Sequence, residues 1–200
     1  MYKRQGWEQP GFDDSNWVTP DQNVLYGGDP WGTRVVMEVT NTEPVSAPIF
    51  RKEFEVKQEI ESARAYICGL GLFDLKINGE NPDDTVLNPA HTQYNKTVMY
   101  RVFDVTNQLQ QGSNAIGVEL GKSFYNETVT TWNWQNAVWR DNPKLLMQLE
   151  ITYQDGRKQI VDTGTDWSVT SNGPTVFDSI YYGAVSYTHL SRQYLTGFTS

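Results

Sequence analysis

The feature that most constrains this chain is a succession of short alternating segments separated by tight-turn dipeptides. Between positions 47 and 180, apolar and polar side chains alternate over runs of a few residues, as in strands that present one face to a core. Asn78-Gly79 and Asp155-Gly156 belong to the dipeptides most strongly associated with β-hairpins. No window carries a sustained helical period. The pattern predicts an all-β protein, an antiparallel β-sandwich that is jelly-roll-like.

The predicted strands have the spacing typical of such sandwiches. A strand-like alternation begins at Ala47, and one helical turn is expected at 107–111, ended by Gly112. The other predicted strands are 63–67, 70–77, 97–105, 115–120, 144–153, 158–161, 166–170 and 175–180. The polar connection at 122–143 is the exception, because loops of this length in compact domains are usually functional or mobile.

The charge balance and the cysteine count exclude several classes of function. The 16 basic and 24 acidic residues give a net charge of −8, so neither nucleic acid nor a membrane surface is an expected partner. No stretch has the roughly 18 apolar residues of a membrane span. The single cysteine, Cys68, excludes an internal disulfide and a cysteine zinc cluster, and we expect it to act as a small hydrophobe. The seven Trp and eleven Tyr suit a surface that meets a flat, uncharged partner.

The two ends of the chain differ from its middle. The DNA TAT AAG AGA CAG can encode Tyr2-Lys3-Arg4-Gln5, and its reverse complement in another frame encodes Val185-Ser186-Tyr187. This relationship is typical of a translated sequencing adapter, so we expect the gene to have continued past Ala184. The predicted organisation is 1–5 adapter-derived, 6–45 a lead-in that packs on the sandwich, 46–184 the sandwich, and 185–200 adapter-derived or a disordered tail.

A series of motifs in a fixed order runs through the central block. They are Phe50-Arg51-Lys52-Glu53-Phe54, 63–79, Val86-Leu87-Asn88-Pro89, Tyr94-Asn95-Lys96, Val98-Met99-Tyr100, Phe103-Asp104-Val105-Thr106 and 112–118. This order resembles the N-terminal β-sandwich module of bacterial α-L-rhamnosidases, of glycoside hydrolase family 78, over about residues 47–180. In that family the catalytic acid and base lie in a separate (α/α)6 domain further along the chain. The resemblance therefore implies an accessory module, with that catalytic domain as its missing partner.

The resemblance also implies a ligand. Some relatives of this module hold rhamnose with help from calcium, so a rhamnose-bearing glycan and Ca2+ are both possible ligands. The family often has an acidic residue near Asn95, where this chain has an amide, and amides alone are weaker calcium ligands. The family's Gly-x-Gly-Trp-Tyr run is here Gly121-Lys122-Ser123-Phe124-Tyr125, with Phe in the place of Trp.

The carbohydrate-binding candidates border the long connection. A pyranose has an apolar C–H face that a flat ring covers and a rim of hydroxyls that amides and guanidinium groups bind. The candidates are Tyr94, Asn95, Tyr125, Asn126, Trp132, Trp134, Trp139 and Arg140. The alternative is that these rings cap the sandwich or pack on a neighbouring domain.

A catalytic residue pair is not expected in the chain. Glycosidases need two carboxyls roughly 5–9.5 Å apart at one bond, whereas Asp13-Asp14 and Asp83-Asp84 are adjacent and suit turns. Glu119 is expected on the solvent face or buried with a partner. Three functions stay open: an accessory rhamnosidase module that supports the catalytic domain and binds rhamnose-containing glycans, a purely structural sandwich, and hydrolase activity in the chain itself.

Overall fold

A computed structural model describes residues 6–19, 46–127 and 137–186, together with the backbone of 21–22 and 37–38. Its strands are β1 (Asp21–Gln22), β2 (Met37–Glu38), β3 (Ile49–Val56), β4 (Ile60–Leu70), β5 (Leu72–Ile77), β6 (Arg101–Asp104), β7 (Gly112–Gly121), β8 (Lys144–Tyr153), β9 (Lys158–Asp162), β10 (Ser168–Thr170), β11 (Thr175–Ser179) and β12 (Gly183–Ser186). A short 3-10 helix, Thr106–Gln108, lies at the position of the predicted helical turn. In the described ranges no helix is long and apolar enough to cross a membrane.

The described strands form two packed sheets and a separate hairpin. The larger sheet has the order β1-β2-β8-β4-β6, with β9 also on β8, and the smaller has the order β10-β3-β7-β5. β11 and β12 pair with each other. All the ladders that these strands form are antiparallel. The predicted all-β antiparallel sandwich is therefore confirmed.

The core lies between the inner faces of the two sheets. On β8 the buried residues alternate with partly exposed ones, as the period of two requires. The inner faces contribute Phe50, Ala65, Ile67, Leu75, Ile116, Val118, Leu145, Met147, Leu149, Ile151 and Val169. Trp167 is buried with them, and its indole N–H donates to the carbonyl of Asp162 at 2.9 Å. The one polar atom of this large ring is thus satisfied inside the core.

The two predicted turns lead to different strand pairings. Asp155-Gly156 joins β8 to β9 as a hairpin, as predicted, with Gly156 at a φ of 81°. Asn78 and Gly79 also form a tight turn, with φ of 51° and 87°. However, β5 pairs with β7 and not with a returning strand. The strand predicted at 97–105 is confined to β6, because residues 97–100 pair with no strand.

The described part of the lead-in, residues 6–19, packs on the outer face of the smaller sheet. Arg51 on β3 is 2% exposed. Its guanidinium donates to the carbonyl of Trp7 at 2.6 Å, the carbonyl of Gln9 at 2.9 Å and the carboxylate of Asp14 at 2.8 Å. The ring of Trp7 covers Gly117 so closely that a Cβ at that position would collide with it. The lead-in therefore covers the Arg51 guanidinium and supplies its hydrogen-bond acceptors.

The last described residues belong to β12. Val185 lies opposite Phe177, and Ser186 lies opposite Thr175. Residues 1–5 and 187–200 lie outside the described residues, so the adapter origin of both ends stays a prediction.

Candidate functional site

Three of the predicted sugar-binding rings come together at one end of the sandwich. The centroid of Tyr94 lies 5.2 Å from that of Tyr125 and 5.1 Å from that of Trp139. The rings of Tyr125 and Trp139 are nearly parallel, with an interplanar angle of 16° and centroids 6.4 Å apart. We call Tyr94, Tyr125 and Trp139 the aromatic cluster. Tyr125 is buried, whereas Tyr94 and Trp139 are partly exposed, so two of the rings offer surface to a ligand.

Ser123 and Asn126 hold the loop that carries Tyr125. The side-chain oxygen of Asn126 accepts the backbone N–H of Ser123 at 2.7 Å, and the Ser123 hydroxyl accepts the N–H of Tyr125 at 3.2 Å. The Ser123 and Tyr94 hydroxyls lie 3.4 Å apart. Burial raises the pKa of the Tyr94 phenol, against the opposing effect of the Ser123 hydrogen bond. The phenol is therefore neutral at neutral pH, and the Asn126 oxygen is committed to the loop.

The remaining predicted site residues are placed differently. The guanidinium of Arg140 donates to the backbone carbonyl of Glu127, next to the cluster. Asn95 is exposed. Trp132 and Trp134 lie outside the described residues, so their proposed sugar contacts stay predictions.

A cavity of about 570 Å³ adjoins the aromatic cluster. It lies between the β11–β12 hairpin, the ends of β5 and β7, and the loops at 87–91 and 121–124. Its polar lining comprises Asp74, His91, Glu119, Lys122, Ser123, Thr175, Asp178 and Ser179. This volume falls in the usual range of small-molecule sites.

Three carboxyls line the cavity, those of Asp74, Glu119 and Asp178, and two of them are perturbed by burial. Burial raises the pKa of Asp178, although the backbone N–H of Lys122 donates to its carboxylate. Burial also raises the pKa of Glu119, opposed by a hydrogen bond with Thr175. One Glu119 oxygen, Oε1, is buried without a hydrogen-bond partner among the described residues. Glu119 is thus half-buried, with one of its two oxygens hydrogen-bonded. When protonated, the side chains of Glu119 and Asp178 can each donate a hydrogen bond to a ligand as well as accept one.

Aromatic and apolar side chains gather around the cavity. The ring of His91 lies 4.7 Å from that of Phe124, and the ring of Tyr181 lies 6.3 Å from Phe124 on another side. Leu87 is 72% exposed at the mouth, and the Phe177 ring lies beneath the Lys122 ammonium. The residues of this cavity are far apart in the sequence and meet only in the folded chain. No local pattern could therefore have predicted the site.

The described residues do not assemble a calcium site of carboxylates. In the part of the chain that the structure covers, no three His, Cys, Asp or Glu side chains come together as metal ligands. Asn95 is exposed on its loop. Calcium typically takes six to eight oxygen ligands from carboxylates, amides and backbone carbonyls, and the described residues supply no cluster of carboxylates for it.

Comparison with protein families gives one match across most of the chain. Residues 58–200 match the family described as the α-L-rhamnosidase N-terminal domain. A protein of Formosa agariphila named α-L-rhamnosidase is 33% identical over 196 residues, which cover 91% of this chain and 21% of that protein. An α-L-rhamnosidase of Streptomyces avermitilis is 31% identical, over 98% of this chain and 18% of its own length.

Solved structures show the same relationship. The α-L-rhamnosidase of Aspergillus terreus superposes with a TM-score of 0.69 at 34% identity, over 78% of this chain and 18% of that one. The Streptomyces avermitilis α-L-rhamnosidase complexed with L-rhamnose gives a TM-score of 0.65 at 30% identity, over 93% and 17%. The chain spans about a fifth of the length of these relatives. With a family match over residues 58–200 and this fold, the chain belongs to the α-L-rhamnosidase N-terminal domain family.

Proposed function

We propose that the chain is a non-catalytic accessory module of a longer α-L-rhamnosidase, which supports the catalytic domain and binds the rhamnose units of a glycan at its aromatic cluster. The observation that carries this proposal is the length relationship. Relatives named α-L-rhamnosidase match more than nine-tenths of this chain within about a fifth of their own length. A sandwich that recurs within a longer enzyme is expected to have a supporting or binding role.

The apolar side chains around the cavity support the first part of the proposal. Leu87 lines the cavity and is 72% exposed. Phe177 and Tyr181 are 39% and 38% exposed, and they contact the lining residues Lys122 and Phe124. Exposed apolar residues that gather in one place are typical of an interaction surface. A neighbouring domain of the longer enzyme would bury them.

The aromatic cluster supports the second part. Tyr94 and Trp139 present partly exposed rings that suit the apolar face of a deoxysugar. The guanidinium of Arg140 and the exposed amide of Asn95 lie on the loops that carry these rings. The Streptomyces avermitilis relative was solved with L-rhamnose, which makes this sugar the ligand to test.

The binding role is tested by titrating the chain with L-rhamnose in a calorimeter, with and without added calcium. We expect saturable binding that Trp139→Ala reduces at least about fivefold, since one well-placed contact contributes about 1 kcal/mol. Trp17→Ala is the matched control, because Trp17 packs on Phe12 within the lead-in. An unchanged affinity in Trp139→Ala would show that the sugar does not bind at the aromatic cluster. If the unaltered chain binds no L-rhamnose, the purely structural role is favoured.

A hydrolase activity in the chain itself is the second candidate, favoured by Glu119 and Asp178, two half-buried carboxyls that line one cavity. The test is release of nitrophenol from p-nitrophenyl α-L-rhamnopyranoside by the purified chain. We expect none. Release that is abolished in both Glu119→Gln and Asp178→Asn would establish the activity and overturn the non-catalytic role.

A further inference from the structure

A second concave site lies on the outer face of the larger sheet. It is a groove of about 410 Å³. Its lining is Tyr66, Ile67, Cys68, Val98, Tyr100, Leu146, Gln148 and Glu150. Register sets this arrangement, since Tyr66 on β4 lies opposite Gln148 on β8, and Cys68 lies opposite Leu146. We call it the outer groove.

The floor of the outer groove is apolar, and its sides carry two aromatic rings. Cys68 is 6% exposed, and burial raises the pKa of its thiol to about 12. The thiol is therefore uncharged and behaves as a small hydrophobe. Tyr100 is 62% exposed and Tyr66 is partly exposed. A flat, partly apolar ligand would meet ring surface without displacing any core residue.

The polar groups of the outer groove are available to a ligand. Within the described ranges, no hydrogen bond is formed by the hydroxyls of Tyr66 and Tyr100 or by the side-chain amide of Gln148. Together they provide neutral donors and acceptors. Glu150 is already paired with Lys158, whose ammonium lies 2.8 Å from its carboxylate. Among the residues that the structure describes, no cationic side chain lines the groove, so a phosphorylated or carboxylated ligand would find no counter-charge from them.

We propose that the outer groove binds an uncharged oligosaccharide, so that the chain contacts a glycan over several sugar units and not at a single rhamnose. Ring surface, uncommitted neutral hydrogen-bonding groups and a missing counter-charge are together what a neutral glycan requires. The volume lies within the range of small-ligand sites. This inference rests on the proposed function, because it extends glycan binding from the aromatic cluster to a second place on the same module.

The same loop serves the outer groove and the aromatic cluster. Tyr94 of the cluster and Tyr100 of the groove both lie in the segment that precedes β6, six residues apart in the chain.

The experiment compares L-rhamnose with an uncharged α-linked rhamnose trisaccharide, each titrated calorimetrically into the 200-residue chain. We expect the trisaccharide to bind more tightly than the monosaccharide. Tyr100→Ala and Gln148→Ala should each weaken trisaccharide binding about fivefold to tenfold and leave L-rhamnose binding unchanged. Tyr182→Ala is the matched control, because Tyr182 is a 73% exposed tyrosine outside the groove. Ile160→Ala, on the same sheet face but outside the groove, controls for a general surface effect.

The possible results separate the two proposals. Equal affinity for both sugars, unchanged in Tyr100→Ala and Gln148→Ala, overturns the outer groove and leaves the rhamnose site at the cluster intact. Trisaccharide binding that depends on Tyr100 but not on Trp139 supports the groove and overturns the cluster as the rhamnose site. Absence of trisaccharide binding overturns the groove inference whatever L-rhamnose does. Self-association that Tyr100→Ala abolishes, without sugar binding, would assign the face to a protein contact and also overturn it.

Discussion

The carboxylate of Glu127 accepts a buried hydrogen bond of 2.8 Å from the hydroxyl of Ser179. The backbone N–H of Ile180 donates to the same carboxylate oxygen, also at 2.8 Å, and Glu127 is 1% exposed. These bonds fasten the loop at 122–127 to β11. The loop carries Tyr125 of the aromatic cluster and Phe124 of the cavity rim, so both parts of the candidate site depend on one buried carboxylate.

Replacement of Glu127 by Ala is expected to lower the free energy of unfolding by about 1–3 kcal/mol, because the Ser179 and Ile180 donors would be left buried and unpaired. Urea unfolding measures the change. Glu61→Ala is the control, since Glu61 is exposed and surface changes usually stay within about 0.5 kcal/mol. Equal stability of the two variants would show that the loop does not depend on this carboxylate.

The cavity carboxyls are expected to make stability fall as pH rises. Burial raises the pKa of Asp178 in the folded state above its ordinary value, so the folded chain binds more protons than the unfolded chain between these two pKa values. The contribution of Asp178 is fully present below the ordinary pKa and is lost as pH rises through the folded one. The destabilisation caused by Asp178→Asn should therefore shrink as urea unfolding is repeated at increasing pH.

Asp83→Asn should show the opposite dependence. The hydrogen bond from Thr85 is the main cause that lowers the pKa of the Asp83 carboxyl, so its contribution is present above the ordinary pKa and is lost as pH falls. The loss in Asp83→Asn should therefore grow from acid to neutral pH. Parallel profiles for the two variants would contradict the different environments of the two carboxyls.

Gly117→Ala is expected to destabilise the chain by about 1–3 kcal/mol, because a methyl group there would collide with the ring of Trp7. In a Trp7→Ala background the same substitution should cost much less, since the ring is gone. A double-mutant cycle of urea unfolding measures the coupling. Additive effects would show that the two residues do not touch in solution.

Cys68 is expected to resist alkylation. Burial raises the pKa of its thiol to about 12, so the thiolate that reacts with iodoacetamide is scarce at pH 8. Mass spectrometry should find the folded chain unmodified and the chain in guanidinium modified. Rapid labelling of the folded chain would show that the Cys68 thiol is accessible to solvent and contradict its burial.

Much of the fold follows from local sequence, and its limits have physical causes. The strand predicted at 144–153 coincides with β8, because its alternation is uninterrupted and Asp155-Gly156 ends it. The strand predicted at 97–105 is too long, because Val98, Met99 and Tyr100 alternate like a strand but lie in a loop on the sheet surface. Alternation reports which faces are apolar, and it does not report whether a partner strand is within reach.

The sequence predicted which residues belong to the aromatic cluster, but it did not predict how they are arranged. Tyr94, Tyr125 and Trp139 were singled out by type, and the structure adds that they pack on one another. Glu119 and Asp178 share a cavity because β7 and the β11–β12 hairpin meet there. Such a meeting depends on long-range register, which no short motif encodes.

The position of β3 has a practical consequence for anyone who excises this module from a longer rhamnosidase. The family match starts at residue 58, yet β3 ends at Val56 and lies between β7 and β10 in the smaller sheet. A fragment cut at the family boundary would lose an internal strand and expose two unpaired edges, which are templates for aggregation. Expression fragments should therefore begin before Trp7, so that they keep both β3 and the segment 6–19 that packs on the smaller sheet.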